Sequence, residues 1–150
     1  MDDLDRAILN ILQVNCKVST EDIGHEVGLS ASACQRRIKK LRAQGIIEKE
    51  VAIVDRDKLQ SLTTVIVDVC LEKGGEQALD DFIARLNREK RVQQFYYTAG
   101  EVDFVLIIVV KNMGEFDELT RGLLMSNTNV KKFHSKVAIK NNKLGLEVPV

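Results

Sequence analysis

Five cations lie close together in this chain with no acid among them. Arg36, Arg37, Lys39, Lys40 and Arg42 fall within residues 30–47, a segment of net charge +5. Residues 1–29 have the opposite balance, net −4, with Asp2, Asp3, Asp5, Glu21, Asp22 and Glu26 set against Arg6 and Lys17. Guanidinium, ammonium and amide groups at this spacing suit hydrogen bonding to phosphates and base edges. A second constellation is Gly100-Glu101-Val102-Asp103. Its glycine can bring backbone N–H groups up to a ligand carboxylate, and Asp103 can accept from an ammonium. The same residues also suit a plain turn in which the aspartate bonds locally. The other reactive types point to no chemistry. Cys16, Cys34 and Cys70 are far apart and form neither a disulfide framework nor a zinc pattern, and Cys34 reads as a small core residue. His25 and His134 lack metal-ligand spacing and read as surface residues. No catalytic residue, metal or cofactor is expected, and the chain does not read as an enzyme.

The cation cluster acts only if a helix presents it outward. Ser30 is a good N-cap for a helix from Ala31 to about Gln44, with Gly45 in the closing position. On that helix Cys34, Ile38 and Leu41 form one stripe, while Ser32, Arg36 and Lys39 point away from it, flanked by Ala33, Gln35 and Lys40. Small residues at Ser30, Ser32 and Ala33 permit close approach to a major groove. Gln35 and Arg36 suit base edges; Arg37, Lys39 and Lys40 suit phosphates. A basic helix face is by default merely solvated. The preceding elements argue otherwise. Leu4, Ile8, Leu9, Ile11 and Leu12 predict a helix from Leu4 to Val14, and Ser19 caps a short one that runs to about Val27. Two short helices about a glycine-containing turn, Gly28-Leu29, make a helix-turn-helix whose second member is the basic helix.

The averages hide this division. The chain has 150 residues, 45% hydrophobic and 29% charged, enough for one domain or two small ones. Lys plus Arg and Asp plus Glu each number 22. Net neutrality alone argues against a nucleic-acid binder; the segregated charge argues for one. No apolar run approaches the ~18 residues of a membrane span. The acidic start Met1-Asp2-Asp3 is unlike a signal peptide, and a reduced, cytoplasmic setting is expected.

Past residue 45 the pattern changes. Ile46–Val54 reads as a wing strand with Glu48-Lys49-Glu50 at its tip, and 55–62 as a linker with a helical turn. We therefore expect a winged helix-turn-helix over 1–50, a linker strand over 51–63 and a second domain over 64–150. That second domain reads β-α-β-β-α-β: strand 64–71, helix 76–88, strands 92–98 and 104–110, helix 113–125 and strand 130–139. The fold class is α+β, with a ferredoxin-like second domain. Strand 104–110 is apolar on both faces, so the sheet face without helices should pack on a second subunit. Tyr96 and Tyr97 point to opposite faces, one expected in the core and one at an interface. Lys131, Lys132, Lys136, Lys140 and Lys143 form an acid-free block, read as edge-strand protection, with a secondary DNA-wrapping surface as the alternative.

Three motifs in order resemble the Lrp/AsnC (leucine-responsive, feast/famine) family of transcription regulators over nearly the whole chain. They are Leu4-Asp5-Arg6-Ala7-Ile8-Leu9 with Leu12-Gln13, then Gly28 to Leu41 closed by Gly45-Ile46-Ile47, and finally Gly100-x-x-Asp103. The resemblance implies a sequence-specific regulator that binds double-stranded DNA. It implies dimers built through the second domain's sheets, commonly assembled into octamers. It further implies an amino acid or related metabolite bound near Thr98, Ala99, Gly100, Glu101, Val102 and Asp103, which alters assembly or DNA affinity. Departures are Gly24 where the family usually has alanine, Arg56 where a proline is frequent, Gln60 in place of a glycine, and Ala99 and Glu101 within the turn. Two other functions fit the same folds. One is a sirohaem-decarboxylase-like enzyme, disfavoured because it needs more histidines than His25 and His134. The other is a metabolite-sensing oligomer without DNA binding.

Overall fold

The structure, a computed structural model, describes residues 1–59, 62–72 and 75–150, with all their side chains except that of Asp57. The expectation at Gln60 lies outside the described residues. The chain forms two compact units, Met1–Ile53 with Lys143–Val150, and Val54–Asn142. The tail 143–150 thus groups with the first unit, although the sequence reading placed it in the second domain.

The first unit holds three helices, α1 (Asp3–Val14), α2 (Thr20–Val27) and α3 (Ala31–Ala43). Each starts on a side-chain cap. Asp2 and Asp5 form a reciprocal capping box on α1, with Asp5 N donating to Asp2 Oδ1 at 2.8 Å and Asp2 N to Asp5 Oδ2 at 3.1 Å. Ser19 accepts from Asp22 N, and Ser30 from Ala33 N. Gly28 and Gly45 close α2 and α3 with φ of 74° and 70°. Ile8, Ile23, Cys34 and Ile38 meet in the core, packed by Ile11, Leu12, Val18, Val27, Leu29 and Ile47.

The expected wing strand does not form. Residues 46–55 are irregular, and Ile46 N and Ile47 N donate back to Leu41 O as an extension of the α3 cap. Val51, Ile53 and Val54 are exposed. A strand needs a ladder partner for its N–H and C=O groups, and this segment has none among the described residues.

In the second unit, α4 (Arg56–Leu59) is a single turn. Then come β1 (Thr63–Leu71), α5 (Gly75–Arg88), β2 (Val92–Tyr97), β3 (Phe104–Val110), α6 (Met113–Thr120, continued by a π-helical turn, Arg121–Met125) and β4 (Val130–Val137). The sheet is antiparallel in the order β2-β3-β1-β4, as a split β-α-β motif requires. One face buries Val65, Val67, Val69, Phe104, Leu106, Ile108 and Val110 against Phe82 and Leu86 of α5 and Phe116, Leu119, Leu123 and Leu124 beyond β3. On the other face Ile66, Val105, Ile107 and Val109 stay half-exposed.

Neither tyrosine enters the core. Tyr96 and Tyr97 are 54% and 62% exposed. The ladder shifts register between Val92 and Gln94, which sets Phe95 opposite the buried Leu106 and Tyr97 opposite Phe104 at the sheet edge. Phe95 packs where a tyrosine was expected.

Gly24 has a packing reason. A Cβ there would lie 2.4 Å from the carbonyl oxygen of Leu29, a backbone atom with little freedom to move. That close approach lets Leu29 N donate to Gly24 O at 2.9 Å and fixes the turn between α2 and α3. Gly24→Ala should therefore destabilise the chain by about 1–2 kcal/mol, because the overpacking cost exceeds the helix-propensity gain of about 1 kcal/mol. Urea unfolding followed by circular dichroism measures this, and an unchanged or raised midpoint would contradict it.

Candidate nucleic-acid interface and ligand turn

The outer face of α3 gathers most of the residues expected to meet DNA. Cys34, Ile38 and Leu41 are buried, which fixes the helix rotation and turns Ser32, Gln35, Arg36, Lys39 and Lys40 outward. Ser30 is exposed at the N-terminus, its Oγ 3.2 Å from that of Ser32, and Ala33 is half-buried beside them. Among the described residues none of Arg36, Lys39 and Lys40 is in an ion pair.

Arg37 differs. Its Nη1 donates to Asp2 Oδ2 at 2.8 Å and to Asp5 Oδ1 at 2.7 Å. The guanidinium expected at a phosphate instead pins α3 to the N-terminus of α1. The Asp5 carboxyl is held below its ordinary value of 3.8 chiefly by Arg37 and then by the Asp2 backbone N–H. Asp2 is lowered chiefly by the Asp5 backbone N–H and then by Arg37, and the Arg37 pKa is raised in turn by both carboxylates. Arg42 pairs with Glu50 and ties the end of α3 to the irregular segment that follows.

The residues of the second constellation also come together, in the turn between β2 and β3. Thr98 N donates to Asp103 O at 2.8 Å, and Thr98 Oγ1 to Val102 O at 2.6 Å. Asp103 closes the turn onto the end of β1: its N–H donates to Val69 O at 2.9 Å, and its Oδ2 accepts from Leu71 N at 2.7 Å. One carboxylate oxygen of Asp103 is thus committed to the fold, as the plain-turn reading expects. Ala99, Gly100 and Glu101 form an exposed tip, and a Cβ on Gly100 would meet nothing within 4 Å.

Both halves of this geometry match known protein families. Residues 1–42 match the AsnC-type helix-turn-helix domain, and residues 64–147 match the Lrp/AsnC ligand binding domain. The chain belongs to the Lrp/AsnC family. An HTH-type transcriptional regulator of Sinorhizobium fredii is 37% identical over 150 residues, covering 100% of this chain and 89% of that protein. Among solved structures, an AsnC family transcriptional regulator from Agrobacterium tumefaciens superposes with a TM-score of 0.92 at 31% identity, covering 99% of this chain and 97% of that one. A transcriptional regulator of Neisseria meningitidis in complex with L-Met superposes with a TM-score of 0.91 at 26% identity, covering 99% and 96%.

As an Lrp/AsnC member the chain is a helix-turn-helix transcriptional regulator with a ligand-binding domain. Among the described residues no helix is long and apolar enough to cross a membrane, and no group of three or more His, Cys, Asp and Glu could hold a metal. What sequence reasoning missed was the pairing of Asp2 and Asp5 with Arg37. The Asp-x-x-Asp spacing before an apolar helix signals the capping box, but the third partner is 32 residues from Asp5.

A carboxylate whose pKa is depressed by folding binds its proton more weakly in the native state than in the unfolded chain. The stability contributed by Asp2 and Asp5 is therefore full above 3.8 and is lost as the pH falls through and below that value. Arg37→Ala should lower the urea midpoint at pH 7. It should also flatten the further fall of that midpoint between about pH 5 and about pH 2. Parallel pH profiles for the two proteins would show that Arg37 does not hold these carboxylates.

Proposed function

We propose that this regulator binds DNA sequence-specifically through Ser30, Ser32, Ala33, Gln35, Arg36, Lys39 and Lys40, with Arg37 orienting the helix rather than contacting phosphate. The observation that carries this reading is the outward row of unpaired cations on a helix whose opposite stripe is fully packed. Gln35 and Arg36 have the fork geometry that reads base edges, and Lys39 and Lys40 supply point charges for phosphates. The effector is an amino acid or a related small metabolite, as the L-Met complex of the Neisseria relative supports. It meets the exposed tip Ala99-Gly100-Glu101, while Thr98, Val102 and Asp103 hold that tip in place. The half-exposed apolar face of the sheet supports a homodimer through that face, built up to an octamer in the cytoplasm. No enzymatic step and no cofactor are assigned.

Fluorescence anisotropy with promoter DNA tests the DNA reading. The logarithm of the affinity should fall linearly with log salt, by about 0.9 per phosphate contact for each tenfold rise in salt. Arg36→Ala should flatten discrimination between operator variants, whereas Lys40→Ala should weaken all of them alike and reduce the salt slope by about 0.9. Undiminished discrimination in the Arg36 variant would remove that residue from base reading.

A thermal-shift screen with the twenty amino acids tests the effector reading. A ligand at a hundredfold its dissociation constant stabilises the native state by about 2.7 kcal/mol and raises the melting temperature by several degrees. A hit should lose its shift in Ala99→Leu, which adds bulk at an exposed position of the tip without a positive φ. A shift retained in that variant would move the site elsewhere.

A further inference from the structure

The last eight residues, 143–150, leave the sheet unit and group with the helix-turn-helix unit. Their anchor is specific. Val148 N donates to Gln13 Oε1 at 2.7 Å, and Gln13 Nε2 donates to Val148 O at 3.1 Å. One primary amide therefore satisfies both main-chain groups of one residue, as a neighbouring strand would. Such a contact recognises an extended backbone rather than a particular side chain. The tail sequence fits it. Leu144, Leu146, Val148 and Val150 alternate with Lys143, Gly145, Glu147 and Pro149, the two-residue period of an extended chain with one apolar side. Pro149, the single proline of the sequence, restricts Val148 before it to extended conformations. The residue that Gln13 grips is thus set in shape before it docks, which lowers the entropy cost of holding it.

We propose that residues 143–150 are a releasable strap and that α1 carries its docking site, centred on Gln13. The strap is held by hydrogen bonds at an exposed site, of modest net strength, so that it can release. It goes beyond the regulator reading and does not depend on it.

Hydrogen exchange on the full chain, without DNA or effector, tests the proposal. The Val148 amide should be protected in the wild type and lose about fivefold or more of that protection in Gln13→Ala. Alanine keeps α1 helical, so the loss would report the tail and not unfolding. Gln13→Glu keeps the acceptor but not the donor and should fall between the two. Trypsin should cut after Lys143 faster in Gln13→Ala by a similar factor. Val148 exchanging at the unfolded rate in the wild type, or equally in both variants, would overturn the docking. Protection that rises with protein concentration would assign the tail to a second copy and overturn the strap within one chain.

Discussion

Five like charges on thirteen residues of helix repel one another, and α3 tolerates them because of where its counter-charges lie. Asp2 and Asp5 sit at the N-terminus of α1, where they first cap that helix and so face the favourable end of its dipole. The same two carboxylates then neutralise Arg37 on the neighbouring helix. One pair of acids thus starts one helix, tethers another and leaves Arg36, Lys39 and Lys40 uncompensated on the far side. The buried stripe of Cys34, Ile38 and Leu41 sets the rotation of α3, and the ion pair adds a polar tether to α1. The basic helix is nearly balanced within residues 1–47, −4 against +5, since most of its counter-charges lie on the helices behind it.

The turn between β2 and β3 is built on a similar economy of groups. Asp103 and Thr98 use their side chains on the fold itself: Asp103 clamps the base of the turn to β1, and Thr98 closes the turn onto Val102 O. The tip, Ala99-Gly100-Glu101, stays exposed. The residues that carried the sequence motif are therefore partly scaffold.

Much of this was legible beforehand because it depends on local rules. Ser19 and Ser30 cap helices, Gly28 and Gly45 end them, and Phe82, Leu86, Phe116 and Leu119 recur at helical spacing wherever they are buried. Features that depend on a distant partner were not legible. Ile46–Val54 has the composition of a strand, but β-propensity makes no strand without a ladder to join. The placing of Tyr96 and Tyr97 turned on a one-residue register shift near Gln94, which moves every later side chain of β2 to the other face. The roles of Arg37 and Gln13 needed contacts with Asp5 and Val148 that no spacing rule announces. Gly24 is the reverse case. Propensity marks it as a weakness in α2, while the carbonyl of Leu29 requires it.

The division of labour within residues 98–103 bears on how such a domain diversifies. The clamp residues cannot change without loosening the sheet, whereas Ala99 and Glu101 are exposed and make no side-chain hydrogen bond among the described residues. Mutations at those two positions are nearly free of folding cost. In a duplicated copy of the gene the tip could therefore drift in sequence without the chain first passing through an unstable ancestor.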